Sequence, residues 1–324
     1  MKLSIVIPIL NEEDNLPILR ERLEKVMLDG QFDYEIIIVD DGSIDQSPQL
    51  TCAWIQDNPK VTLLQLSRNF GHQPAITAGL KETTGDAVVI MDADLQDPPQ
   101  VILEMVQKWR EGYRVVLAER LSRKEIGLRR LVIEGFYKFF EFISDFPVKI
   151  KSGVFGLMDR VVVDHLLSFP EQNRFIPGLR SWIGFSTTSV HYMREARAKG
   201  APKQSIRRLI KYGIDATFSF SYKPLRMSFF MGLFISAICF IYGIILLVKR
   251  LLNIDVVPGF TTIAIAVLFL SGVLLISNGI IGEYLARIYD EVKKRPLYIV
   301  ARKMSRKENQ KELNIQEYSS RLNP

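Results

Sequence analysis

DAVVIMDADLQDPP, residues 86–99, decides how this chain is read. An apolar run, Ala87 to Met91, ends abruptly in Asp92-Ala93-Asp94, followed by Gln96, Asp97 and two prolines. A buried strand that delivers two carboxylates at its C-terminal end puts them where ligands bind in α/β sheets. Such oxygen donors suit Mg²⁺ or Mn²⁺, which keep coordination positions open for substrate phosphates. A turn closed by Asp and Pro is the plainer alternative, and a D-x-D triplet alone does not separate the two.

The flanking sequence does. Residues 1–120 alternate between apolar strands and amphipathic helices. Strands are expected at Lys2–Pro8, Tyr34–Val39, Val61–Leu66, from Asp86 and at Tyr113–Glu119. Helices are expected at Leu16–Leu28, Pro48–Asp57, Gln73–Thr83 and Pro99–Glu111, with Leu16, Leu19, Leu23 and Val26 of the first at helical spacing. Near-continuous apolar strands separated by helices predict an α/β fold, a mostly parallel, doubly wound sheet.

In such a sheet three strand ends converge on one edge. They carry Pro8, Leu10, Asn11 and Glu12; then Asp40, Asp41, Gly42 and Ser43; then Asp92, Asp94 and Gln96. Gathered carboxylates repel unless a cation or donor groups stand between them. A divalent metal with a nucleoside diphosphate meets that demand: the first two clusters accept hydrogen bonds from base and ribose, and the third holds the metal. Ser43 reads as turn chemistry and His72 as a residue that caps or orients the next helix. His165 and His191 lack partners at metal-binding spacing.

Composition sets the outer limits. The 324 residues carry a net charge of +6 and two cysteines, Cys52 and Cys239, so a disulfide framework or cysteine metal site is not expected. The apolar start leads straight into Asn11-Glu12-Glu13 and reads as a strand, not a signal peptide. Ser228–Val248 and Phe260–Gly282 are uncharged over 21 and 23 residues, which predicts two transmembrane helices. Residues 191–227 hold nine Lys/Arg against two acids, and residues 283–324 ten against six, so both are expected in the cytoplasm. Segments 126–143 and 204–215 mix basic with apolar residues at helical spacing, as helices in a headgroup layer do.

The stretches IVIPILNEEDNL, EIIIVDDGSIDQS, LSRNFGHQPAITAGL, MDADLQDPP and GEYLARIYDEVKKRPLYIV occur in this order. In them the chain resembles family 2 glycosyltransferases of GT-A fold, specifically polyisoprenyl-phosphate glycosyltransferases of the GtrB type, related to dolichol-phosphate mannose synthase. The resemblance implies Asp92, Asp94 and Gln96 as metal ligands, with Asp92 also against the nucleotide. It implies Pro8, Leu10, Glu12 and Asp41 around the nucleoside, Asp40 as a neighbour, and Arg120 facing phosphate. Asp94 and Arg120 are the expected catalytic residues; Arg129, Arg197 and Lys203 complete the phosphate- and acceptor-binding set. The chain then divides into a nucleotide-sugar-binding region (1–125), an acceptor-side region with interfacial helices (126–227), a transmembrane hairpin (228–282) and a basic cytoplasmic tail (283–324).

The middle departs from the family pattern. Relatives read G-D-F-R-L where this chain has Gly153-Val154-Phe155-Gly156-Leu157, so an acid and an arginine are missing. Asp159 stands nearby, but Asp before Arg160 in an apolar run reads as a structural cap. A lipid monophosphate has a second pKa of about 6 and is already largely dianionic near neutral pH, so it needs no strong general base. The expected reaction is inverting and metal-dependent: a hexose, first of all glucose from UDP-glucose, moves to polyprenyl phosphate, in a membrane-bound homo-oligomer with no nucleic-acid partner. Mannose from GDP-mannose is the alternative donor. A processive polysaccharide synthase would need more spans and a Q-x-x-R-W motif. A nucleotide-sugar-binding scaffold that has lost catalysis is the rival from another class.

Overall fold

The computed structural model describes residues 1–121, 153–193, 223–252 and 259–306. The chain divides into two compact units, the second comprising residues 133–145 and 205–294.

The first unit is built on β1 (Lys2–Ile9), α1 (Leu16–Asp29), β2 (Asp33–Asp40), α2 (Ser47–Asp57), β3 (Val61–Leu66), α3 (His72–Glu82), β4 (Ala87–Ile90), α4 (Val101–Arg110) and β5 (Val115–Leu121). It continues with β6 (Gly156–Asp159), α5 (Arg160–Ser168), α6 (Ile176–Trp182), β7 (Thr187–Met193) and β8 (Val300–Ser305). The eight strands form one sheet in the order β7-β5-β6-β4-β1-β2-β3-β8. β1 to β4 run parallel, and β5 runs parallel to β7. Only β6 and β8 oppose their neighbours. This is the mostly parallel, helix-covered sheet that the sequence predicts.

Burial explains the strand composition. β1 is buried from Leu3 to Ile9 and β4 throughout, because helices cover both faces and leave no side for polar residues. Helix α1 instead buries one stripe, Leu16, Leu19, Leu23, Val26 and Met27. Trp54 and Phe155, each 2% exposed or less, are the largest side chains closed into this core. Burying such a side chain contributes about 1.5–3 kcal/mol.

Later segments complete the sheet: β6 lies between β4 and β5, and β7 adds an edge beside β5. The C-terminal segment contributes too, since β8 pairs with β3 and buries Met304 among the core residues. Of β8, Met304 is the residue that enters the core.

The described part of the second unit is two helices, α7 (Lys223–Leu251) and α8 (Phe260–Lys293). Both are long and apolar enough to cross a membrane, with stretches of mean hydropathy 2.2 and no buried residue in them. Helix α8 has 34 residues, so it continues beyond Gly282, with Glu283 and Arg287 paired at 3.2 Å one turn apart. It ends at Lys294, whose left-handed backbone (φ +47°) stops the helix.

Candidate active site

Parallel pairing sets Ile9 beside Asp40 and Val6 beside Ile90, so the ends of β1, β2 and β4 meet at one edge. The first two loops are laced together by side chains. Asn11 donates its amide to Ser43 Oγ (3.0 Å), and Asn11 Oδ1 accepts from the Ile44 amide (2.9 Å). Glu12 and Glu13 donate their amides to Ser47 and Asp45, while Glu13 Oε2 accepts from the Gln46 amide (3.0 Å). Asn11 holds a left-handed backbone (φ +54°), which Asn tolerates better than most residues. Ser43 donates its amide to Asp40 Oδ1 at 2.9 Å, the turn chemistry expected of it.

Pro8 is buried within β1, Leu10 and Glu12 are half-buried, and Asp40 and Asp41 are buried. Asp41 accepts the amides of Phe70 (2.7 Å) and Gly71 (2.9 Å), so its carboxylate fixes the loop entering α3. Burial raises the Asp41 pKa, and the neighbouring Asp40 adds to that, against those two amide donors. Gly42, at φ +79°, lets the turn pass 2.8 Å from the Asn69 amide, measured from where a Cβ would stand.

At the end of β4 exposure alternates: Asp92, Asp94 and Gln96 are half-buried, while Ala93, Leu95 and Asp97 are buried. Leu95 has a left-handed backbone (φ +59°), a conformation costing a branched side chain about 1–2 kcal/mol and seen most at functional sites. His72 Nε2 lies 2.8 Å from Asp92 Oδ1. Burial opposes a charge on His72, but Asp92 first, then Asp41 and Asp94, raise its pKa. His72 therefore belongs to the acidic cluster. It does not cap α3; Gly71 holds the cap position.

The donor set fits a hard divalent cation. Mg²⁺ and Mn²⁺ are held by one or two carboxylates together with phosphate oxygens and water, not by a protein cage. Among the described residues no cluster of three or more His, Cys, Asp or Glu is arranged as such a cage. Asp92 and Asp94 stand as two half-buried carboxylates in one loop, and the raised His72 pKa marks the negative field around them.

Arg120, next to last in β5, is half-buried, with Nε 3.0 Å from the Tyr192 hydroxyl and Nη2 3.5 Å from Asp97 Oδ2. Arg129, Arg197 and Lys203 lie outside the described residues, as do segments 126–143 and 204–215. Asp159 stands beside Ala87, at the far end of β4 from Asp92. It caps α5 through the Val161 amide (3.1 Å) and accepts from Trp109 Nε1 (2.8 Å) and Arg114 Nη1 (2.7 Å). It is the structural cap that its sequence context predicts.

The backbone at Gly156 leaves no room for a side chain. A Cβ at Gly156 would stand 2.7 Å from the Val116 carbonyl oxygen and 3.1 Å from Arg180 Nη1. Arg180, 4% exposed, fills that space and donates to the carbonyls of Gly153 (3.0 Å) and Val154 (3.4 Å). Burial brings its pKa down to about 10. From the sequence, Arg180 and Tyr192 have no expected role, Asp97 is named in its motif without one, and His72 reads as capping or orienting the next helix, not as a partner of Asp92.

A cavity of about 660 Å³ opens at the opposite sheet edge, lined by Lys2, Glu35, Lys60 and Lys303 among others. Its charges satisfy one another, as in Lys2–Glu35 (2.7 Å), Lys60–Asp33 (3.4 Å) and Lys303–Glu82 (2.8 Å). It lies at the wrong end of the strands for the carboxylate cluster.

A family model described as glycosyl transferase family 2 matches residues 4–167, and one described as GtrB C-terminal hairpin matches residues 223–288. The chain is 44% identical over 303 residues to an uncharacterised glycosyltransferase of Synechocystis sp., covering 93% of this chain and 95% of that one. It is 39% identical over 301 residues to a prophage-derived bactoprenol glucosyl transferase of Shigella flexneri, covering 93% and 97%. A prophage bactoprenol glucosyl transferase homologue of Escherichia coli is 38% identical over 303 residues, covering 93% and 99%.

Proposed function

The chain belongs to glycosyl transferase family 2, and from that premise we propose that it moves glucose from UDP-glucose onto the phosphate of a polyprenyl lipid at the cytoplasmic face of a membrane. One observation supports this most: half-buried Asp92 and Asp94 share a sheet edge with the laced loops after β1 and β2. The bactoprenol glucosyl transferases among the relatives supply the acceptor class and the sugar.

In this reading the loops at Leu10–Glu12 and Asp40–Ser43 receive base and ribose. Asp92, Asp94 and Gln96 would hold the divalent ion, which supplies charge neutralisation for the diphosphate when bound. Arg120 presents its guanidinium to phosphate oxygens, with Arg129, Arg197 and Lys203 assigned to the acceptor side. A lipid phosphate oxygen attacks the anomeric carbon, and the bond from that carbon to the diphosphate oxygen breaks with its electron pair leaving on the nucleotide. Attack from the opposite side inverts the centre. No proton has to be removed, because the attacking phosphate is already dianionic. Hence the absence of an acid at Val154 does not block the reaction.

Purified full-length protein, given radiolabelled UDP-glucose, undecaprenyl phosphate and Mn²⁺, is expected to form a lipid-linked sugar. Exhaustive chelation should abolish that product, and Asp94→Ala should lower turnover by about a hundredfold or more. Near-normal turnover of Asp94→Ala in saturating metal overturns the site assignment. Donor binding without any lipid-linked product overturns the reaction.

A further inference from the structure

An arginine recognises phosphate through a planar fork, so its orientation matters as much as its charge. Strands β5 and β7 pair in parallel with Arg120 beside Tyr192, which makes their side chains neighbours. The Tyr192 hydroxyl accepts from Arg120 Nε at 3.0 Å and donates to Asp97 Oδ1. Asp97 Oδ2 in turn lies 3.5 Å from Arg120 Nη2. Three side chains thus close a ring in which the hydroxyl both donates and accepts.

The ring is anchored from two sides. Asp97 is 1% exposed and Tyr192 5%, whereas the Arg120 side chain keeps 32% of its surface open. The Phe155 ring packs edge-on against Tyr192 with centroids 5.8 Å apart, fixing the phenol plane. Asp97 belongs to the same loop as Asp92, Asp94 and Gln96. The bracket therefore ties the carboxylate loop after β4 to the arginine at the end of β5.

We propose that Tyr192 and Asp97 are positioning residues that lock the Arg120 fork toward the diphosphate of the sugar donor. The proposal rests on the reading of Arg120 as the phosphate-facing group. A locked fork spends no orientation entropy when charge builds on the leaving group, so its effect falls on kcat.

The test compares Arg120→Ala, Tyr192→Phe and Asp97→Asn in full-length protein with the donor that the wild-type chain uses. Folded fraction is followed by circular dichroism. Tyr192→Phe keeps the ring and its contact with Phe155. It is expected to lower kcat about tenfold with donor KM within about twofold, at unchanged folded fraction. Asp97→Asn should move kcat in the same direction, and Arg120→Ala should lose more than either. Wild-type kcat in Tyr192→Phe beside an inactive Arg120→Ala overturns the bracket and leaves the arginine's role standing. A loss that tracks folded fraction also overturns it. Full turnover in Arg120→Ala instead removes the reading beneath it.

Discussion

Gly42 shows how narrow the tolerance is in the loop after β2. An alanine there would combine a left-handed backbone at φ +79° with a Cβ 2.8 Å from the Asn69 amide and 2.9 Å from the Arg68 carbonyl carbon. Gly42→Ala is expected to cost about 1–2 kcal/mol from the backbone term alone, read as a lower unfolding midpoint. It should also weaken UDP binding in calorimetry, because the amides that meet Asp41 at Phe70 and Gly71 follow Asn69 directly. At this scale the sequence reveals a residue when its chemistry is local. Asp92, Asp94 and Gln96 stand out because a strand end and a D-x-D pattern fall within five residues. His72 and Tyr192 were hidden because their partners lie 20 and 95 positions away, and only strand pairing brings them together.

Elements report a different kind of chemistry, and Asp159 is the clearest case. One buried carboxylate starts α5, fastens α4 through Trp109 and meets Arg114 ahead of β5. Burial would raise its pKa, but the Trp109, Val161 and Arg114 contacts outweigh that and hold it below the ordinary carboxylate value. A depressed pKa contributes stability above the unfolded-state value and loses it as pH falls through the folded-state value. Asp159→Asn should therefore destabilise the protein near neutrality by about 1.5–3 kcal/mol. It should also flatten the acid limb of the unfolding midpoint measured from about pH 6 to about pH 3. Most elements were legible: β3 spans Val61–Leu66 as its apolar run predicts, and α1 differs from expectation by one residue at its end. The long-range partners of β6, β7 and β8 were not, since an apolar segment carries no label for the strand it will join. β6 enters between β4 and β5 against the parallel grain, an arrangement that periodicity does not encode.

Across the whole molecule, composition was the most informative guide to the two long apolar helices. Uncharged runs of 21 and 23 residues stand within α7 and α8, whose apolar side chains are exposed over most of their length. The proposed orientation follows from the basic flanks and is checked by labelling. A cysteine introduced at Asn253, in a Cys52→Ala, Cys239→Ala background, should react with an impermeant maleimide added outside intact cells. A cysteine at Glu13 should react only after lysis; the reverse pattern inverts the orientation. The position of β8 has a bearing on biosynthesis. Because it follows α8 in the chain and completes the sheet beside β3, a ribosome must emit both hydrophobic helices before that edge can be sealed. A nascent chain interrupted before Val300 therefore exposes the open backbone edge of β3, a template for aggregation. Completion of this sheet therefore waits on synthesis of both apolar helices.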